Sequence, residues 1–423
     1  MKLSVPTVHH TWMRGTSRSV EAMRSERRPA CTRRQVLTLF AGSGAFVVLG
    51  GALAACDVSD DTQVDEIPAD AVDVTTLGAV GDGRTDDTAA LQKALDSLKD
   101  KGILEFPAGK VFLHDDVLTL STAGVQLVGT GELRATDEEH SAVRIEAADV
   151  TVQGLTFGIE NTTRRWSTPD QHKLFIGEVS GVTVRDVRIT GSAAAGLFAL
   201  GTSDFHFERV AVFDTRADGI HMTYGAHSGT VDHPVVTRSG DDGVAVVSYL
   251  QDARQCHDIE VISPAIRVTT GGRGISVVGG RDITYRDISV DRSAAAAVYV
   301  ACEGDPSNTE NAERIVVSGG RVTGANTDAD IDNGAVLVYS GRGGGAVADI
   351  QISDLSVSAT RSGASRQIGA VADSDDSGVT DVTFRNMKLS ENPQPYQGNA
   401  PISGVELDAV TADGRSVPHA TVS

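Results

Sequence analysis

Apolar and polar positions alternate along this chain in short runs, and the runs recur. One series reads Val150-Thr151-Val152, Val182-Thr183-Val184, Phe205-His206-Phe207, Ile259-Glu260-Val261, Ile283-Thr284-Tyr285, Ile315-Val316-Val317, Ile350-Gln351-Ile352 and Val382-Thr383-Phe384. This is the period-two pattern of strands with one buried face. A second series opens at Gly196-Leu197, Gly219-Ile220, Gly243-Val244, Gly274-Ile275 and Ala297-Val298, with offsets of 23, 24, 31 and 23 residues. A repeat of that length, rich in Gly and poor in aromatics, predicts a solenoid of tightly stacked coils with Val, Ile and Leu in an inward column. Ahead of the repeat the period changes. Thr85-Asp86-Asp87 offers N-cap side chains, and Leu91, Ala94, Leu95 and Leu98 fall on one face, which predicts a helix over about Thr88 to Lys99. Strands at Ile103–Phe106 and Val111–Leu113 follow, joined by Pro107-Ala108-Gly109. A solenoid must cover its open apolar end, and this helix is placed to do so.

The first 55 residues read as an address. Thr32-Arg33-Arg34-Gln35-Val36-Leu37 is a twin-arginine signal, Leu37 to Ala55 is a weakly apolar stretch, and Leu53-Ala54-Ala55-Cys56 resembles a lipobox in which Cys56 is lipidated. Met13 and Met23 offer alternative starts. The expected organisation is a signal peptide at 1–55, a polar tether at 56–71, and one solenoid domain at 72–423 with its cap at 72–113. Without a second apolar run of about 18 residues, the mature chain is expected to touch a membrane only through the lipid, on the outer face of the cytoplasmic membrane.

Removing residues 1–55 takes away eight of 37 basic and two of 57 acidic residues, leaving 29 against 55, a net charge of -26. Such a surface repels nucleic acid and polyanions. Cys256 and Cys302 remain in the folded part, enough for one disulfide or two thiols but not for a disulfide framework.

Aligning the glycines of Ala217-Asp218-Gly219-Ile220 and Asp241-Asp242-Gly243-Val244 puts Asp218 and Asp242 at the same place in successive coils. Strands about 4.8 Å apart would then crowd Asp218, Asp241 and Asp242 together. Like charges that close rarely ionise together, so one carboxyl is expected to keep its proton near neutral pH. An acid beside a base is what glycoside hydrolysis uses. Four excursions, at 159–173, 248–258, 302–313 and 324–333, are placed to wall a cleft over this face, and Trp166 and Tyr249 on them are candidates to stack on sugar rings. Asp-Gly is also an ordinary turn pair, and Arg273 one coil on serves equally as a binder or as a structural partner of Asp242. Asp328-Ala329-Asp330-Ile331-Asp332-Asn333-Gly334 has the opening of a calcium loop, but Asn333 and Tyr339 fall where Gly and Glu are wanted, and an acidic turn is the favoured reading.

Gly78-Ala79-Val80-Gly81-Asp82-Gly83-Arg84-Thr85-Asp86-Asp87-Thr88, with Leu91-Gln92-Lys93-Ala94 and Phe106-Pro107-Ala108-Gly109, resembles the N-terminal cap of the pectate-lyase-like superfamily of right-handed parallel β-helices. The resemblance implies an all-β solenoid with a capping α-helix. The central block resembles the polygalacturonases, family 28 of the glycoside hydrolases. That family's Asn-Thr-Asp aligns with Arg216-Ala217-Asp218, its Gly-Asp-Asp with Gly240-Asp241-Asp242, its Gly-His-Gly with Gly272-Arg273-Gly274, and its Arg-Ile-Lys with Val298-Tyr299-Val300. The resemblance implies Asp241 as general acid and Asp218 with Asp242 as the pair activating water for inversion, without a cofactor. The lost Arg and Lys would have gripped a uronate, so a neutral or weakly acidic glycan is expected, with His221, Arg273 and Tyr299 as candidate binders and the protein a monomer. Two rivals stand beside this reading. One is a polysaccharide lyase with an Arg base and Ca²⁺ held by the carboxylates; the other is a carbohydrate-binding surface protein without turnover.

Overall fold

A computed structural model describes residues 67–373, 376–392, 394–399 and 404–418. The twin-arginine segment, Cys56 and most of the expected tether lie outside the described residues. What is described is a right-handed parallel β-helix.

The second strand series forms one face, an 11-stranded parallel sheet in which Leu174, Leu197, Ile220, Val244, Ile275, Val298, Val336 and Ile368 occupy one register position on successive coils. The first series runs through the larger sheet, with Thr183, His206, Thr230 and Glu260 in a column. Inward side chains of all faces meet in one apolar cluster running from Val74 and Leu91 to Leu389 and Val417. Burying these branched side chains in a continuous column is the main driving term, since no coil can shield its own apolar face.

Corners between faces use a device absent from the hydropathy pattern. Asp186, Arg209, His233, Ser263, Asp287, Gly319, Asp354 and Asn386 hold the same corner in successive coils, and all have φ between +50° and +76°. The left-handed region suits Gly, Asn and Asp and costs other residues on the order of a kcal/mol. Stacking pressure from both neighbours holds Arg209, His233 and Ser263 there nonetheless.

The capping helix spans Thr88–Ser97, ending short of Lys99 because Leu98 is extended, with φ -62° and ψ 143°. Leu91, Ala94 and Leu95 are its buried face. Asp87 does not cap it. Its carboxylate accepts from the N–H groups of Val80 (2.6 Å) and Gly81 (2.9 Å), which pins the turn before the helix, while Asp86 accepts from the N–H of Thr88 at 3.0 Å. Gln92 reaches down to Leu118–Leu120, the first strand of the 11-stranded sheet, accepting from the N–H of Thr119 and donating to its carbonyl, both at 2.9 Å. The helix thus satisfies an open strand edge as well as covering apolar area.

The glycines opening the second series are required by the coil spacing. A Cβ at Gly219 would lie 2.6 Å from the carbonyl oxygen of Gly243, and one at Gly243 would lie 2.5 Å from that of Gly274. Gly219→Ala is therefore expected to cost about 1–3 kcal/mol, read as a lower urea midpoint, while Gly378→Ala, whose Cβ would meet only a carbonyl at 4.0 Å, should leave the midpoint nearly unchanged.

Candidate active site

The two sheets differ in what their outward positions do. In His206–Glu208 only the inward residue is buried, but in Ile220–Thr223, Val244–Val247 and Ile275–Val278 every residue is. The outward side of the 11-stranded sheet carries an apolar patch of its own, in which Ala245, Val278, Tyr299 and Leu337 pack with the partly buried Tyr249 and Tyr339. The excursions fold over this face. Tyr249 and Thr309 form an isolated antiparallel bridge, and the N–H of Leu250 donates to the carbonyl of Asn308 at 2.9 Å, so the second and third excursions brace each other. The first reaches forward over the following coils, where the N–H of Trp166 donates to the carbonyl of Ala193 at 2.9 Å and Arg216 holds Thr162.

Two positions before the strand starts Ile220, Val244 and Ile275, in one column, stand Asp218, Asp242 and Arg273. Carboxylate oxygens of Asp218, Asp241 and Asp242 lie within 4.8 Å of one another. Asp218 and Asp242 are buried and serve as rungs of a ladder: the N–H of Asp242 donates to Asp218 Oδ1 at 3.1 Å, and the N–H of Arg273 donates to Asp242 Oδ1 at 2.6 Å. Their other oxygens are also engaged, Asp218 Oδ2 by His221 Nδ1 at 3.2 Å and Asp242 Oδ2 by Ser276 Oγ at 2.6 Å. Asp241 sits one residue to the side, its side chain 26% exposed, with Oδ2 paired to Arg165 at 2.5 Å.

These surroundings pull the two buried carboxyls apart. Burial pushes Asp242 up, Arg273 and Ser276 oppose this, and the charges of Asp241 and Asp218 add to it; the group ends at about 7. Burial acts on Asp218 in the same sense, but His221 and Arg165 outweigh it and hold Asp218 below its ordinary range. One carboxyl that keeps its proton near neutrality thus touches one that does not, as close like charges require. Burial opposes the charge of Arg165, and the carboxylates of Asp241, Asp218 and Asp242 raise its proton affinity despite that. Tyr249 is kept neutral by burial and by Asp218, Glu303 and Asp241.

Several expectations change on this geometry. Asp218 and Asp242 are not at freely exposed turns, because their oxygens stitch neighbouring coils, so substitution there touches stability too. His221 is only 5% exposed; it bonds Asp218 and stacks on Phe198, with centroids 4.9 Å apart, so it supports the acid column from below. Tyr299 is 4% exposed and lies under the Arg273 guanidinium at 4.3 Å. Arg273 takes the place of a structural partner, facing Asp242 at 3.8 Å and bonding Glu303 at 2.7 Å. Trp166 carries Arg164 over its ring at 3.6 Å. The coil register brings no basic group to the column besides Arg273, whereas the first excursion brings Arg165 there. Its signal was Arg164-Arg165-Trp166 in an otherwise acidic chain. Ser276 was legible as well, since it takes the register position of His221 and Ala245.

The three carboxylates are the one group among the described residues with metal-binding spacing. Oxygen ligands suit a calcium-type ion, but five of the six oxygens already accept from protein donors and two guanidiniums neutralise the cluster. The donor set therefore does not fit a resident ion, and no chemistry is routed through one. The 328–334 segment folds as a turn, with Asp328 accepting from the N–H of Asp330 at 2.9 Å and Asp332 tied to the N–H of Ser365 at 2.8 Å. Cys256 and Cys302 are separate buried thiols.

A family model described as rhamnogalacturonase A/epimerase, pectate lyase-like, matches residues 71–298, more than half of the 423. Among solved structures, the catalytic domain of a family 87 α-1,3-glucanase in complex with tetrasaccharides is similar at a TM-score of 0.62 and 15% identity, over 85% of this chain and 67% of that one. The hyperthermoactive exopolygalacturonase of Thermotoga maritima is similar at 0.61 and 13% identity, over 82% and 93%. The catalytic unit of a thermostable family 87 α-1,3-glucanase from Streptomyces thermodiastaticus reaches 0.54 at 18% identity, over 83% and 69%. At such identities these likenesses concern the fold. No curated protein matches the sequence. With its capping helix, its coil register and a family match over more than half its length, the chain belongs to the rhamnogalacturonase A/epimerase family of pectate-lyase-like β-helices.

Proposed function

We propose that this protein hydrolyses a glycosidic bond in a polysaccharide or oligosaccharide by carboxylate acid/base catalysis. The observation that carries the reading is the trio of Asp218, Asp241 and Asp242, with oxygens inside 4.8 Å, on a face walled by loops. Asp241 is the general acid, because it alone of the three presents its side chain to solvent where a glycosidic oxygen can arrive. Arg165 must leave Asp241 Oδ2, and the proton held by Asp242 must pass to Asp241 before it is given up to the leaving group. Asp218 and Asp242, then both ionised, share the nucleophilic water.

Inversion is the reading that the resemblance to the polygalacturonases supports, with Asp218 and Asp242 holding a water between them rather than attacking carbon. The spacing speaks for a second reading. Inverting carboxyls usually stand about 6.5–9.5 Å apart and retaining ones about 5–5.5 Å, and the closest oxygens here fall at the short end. A lyase with an Arg base is less well supported, since neighbouring carboxylates raise the proton affinity of Arg165 and of Arg273, opposite to what a base needs. Polygalacturonate is disfavoured as substrate by the acidic column and the missing Arg and Lys. Export by the twin-arginine route and lipidation at Cys56 belong to the same proposal, with the enzyme a monomer on the outer face of the membrane.

Asp241→Asn is expected to lower kcat by roughly 10²–10⁴ with an unchanged melting temperature, whereas Asp218→Asn should lower both. Proton NMR of the first product formed decides the stereochemistry, and a retained anomeric configuration would remove the inverting assignment. Because folded Asp242 holds its proton to about pH 7 and the unfolded chain does not, its contribution to stability is present below the unfolded value and is lost as pH rises through 7. Asp242→Asn should flatten the melting temperature between about pH 4 and 7 relative to wild type. Growth with a labelled fatty acid should mark the full-length protein, and Cys56→Ser should abolish the label; a label that persists disproves the anchor.

A further inference from the structure

The column of outward side chains continues beyond Arg273 into a solvent-open pocket of about 460 Å³ on the C-terminal side of the aspartates. That volume lies within the range of about 300–1,000 Å³ usual for ligand sites. Its floor is Tyr299, Leu337 and Tyr339 from adjacent coils, the two phenol rings stacked at 6.2 Å with 24° between planes. The third and fourth excursions wall it, and Arg273 is shared with the acid column.

Its charges are what set it apart. Four carboxylates line it, those of Glu303, Asp305, Asp332 and Asp373, against the guanidiniums of Arg273 and Arg366, a balance of -2. Both cations are committed: Arg273 to Glu303 at 2.7 Å and over Tyr299, Arg366 to Ser365 Oγ at 2.7 Å and facing Asp332 at 3.8 Å. A uronate entering here would meet an acceptor-rich wall with no uncommitted guanidinium to pair with. A ring bearing only hydroxyls brings donors to those acceptors and an apolar face to the partly buried Tyr339 of the floor.

We infer that this pocket is a sugar subsite for an uncharged, hydroxyl-bearing ring next to the scissile bond, and that Tyr339 and Asp373 set the preference for neutral over uronate glycans. This rests on the hydrolase reading and adds the substrate class to it. Tyr339 Oη donates to Asp373 at 2.5 Å, so one substitution perturbs both.

An array of neutral and uronate oligosaccharides, probed with the full-length Asp241→Asn protein, tests the inference. Retention of neutral members is expected, with affinity about tenfold lower in Tyr339→Ala and in Asp373→Asn backgrounds, the scale of one hydrogen bond to a charged group. With wild-type catalysis restored, the same substitutions should raise KM and leave kcat in place, as for binding shared by ground and transition states. Asp373→Arg, which puts a fixed cation where an acceptor stood, should move the preference towards uronates. Circular dichroism melting checks that each variant is folded. A wild-type preference for uronates overturns the inference, as does unchanged affinity in both pocket variants. Hydrolysis that ignores the pocket variants keeps the hydrolase and removes the subsite; pocket-dependent binding without hydrolysis by wild type does the reverse.

Discussion

Each coil of this protein gives its backbone N–H groups to carbonyls one coil away, and that in-register ladder fixes everything above it. On the 11-stranded face the N–H of Leu197 goes to Gly219, that of Ile220 to Gly243 and that of Ile275 to Ala297, at 2.8–3.0 Å. Because the ladder admits no slip without moving the whole inward Val, Ile and Leu set out of the core, side chains 23 or 24 residues apart become neighbours. Two carboxyls at one register position, those of Asp218 and Asp242, are brought together in this way.

Burying two carboxyls is costly, and the fold offsets the cost locally. Asp218 and Asp242 each take a backbone N–H from the next coil, replacing lost water with a fixed dipole. The glycines that follow them let the coils close to the distance at which those bonds form. The contacts that stack the coils are thus also the ones that hold the acid column. An acidic column that also stitches the stack is hard to lose piecemeal, and its proton is shared according to which oxygen has the stronger partner: His221 and Arg165 on one side, burial on the other.

Loops supply what the ladder lacks. The coils present the acids, Arg273 and an apolar floor of Tyr299, Leu337 and Tyr339, whereas the first excursion brings Arg165 to Asp241, the second and third brace each other beside Tyr249, and the third and fourth wall the pocket beyond Arg273. Carboxylates outnumber guanidiniums both in the acid column and in the pocket, so the net acidity of the chain is carried into the cleft.

The sequence alone determined the coil, its repeat, the capping helix to within two residues, and the column shared by Asp218, Asp242 and Arg273, because all of these follow from periodicity and a backbone register that acts one coil at a time. It also showed that one carboxyl of a crowded trio would keep its proton. Which carboxyl does so was decided only in three dimensions, since that depends on His221, Ser276 and Arg165 approaching from other coils and from a loop. The same holds for the left-handed corners at Arg209, His233 and Ser263, which no local preference favours and only stacking from both sides imposes, and for His221, whose polar character suggested a binder but whose ring is stacked on Phe198 and bonded to Asp218. Periodic contacts are written into spacing; contacts made by excursions have no period, and only the folded chain brings them together.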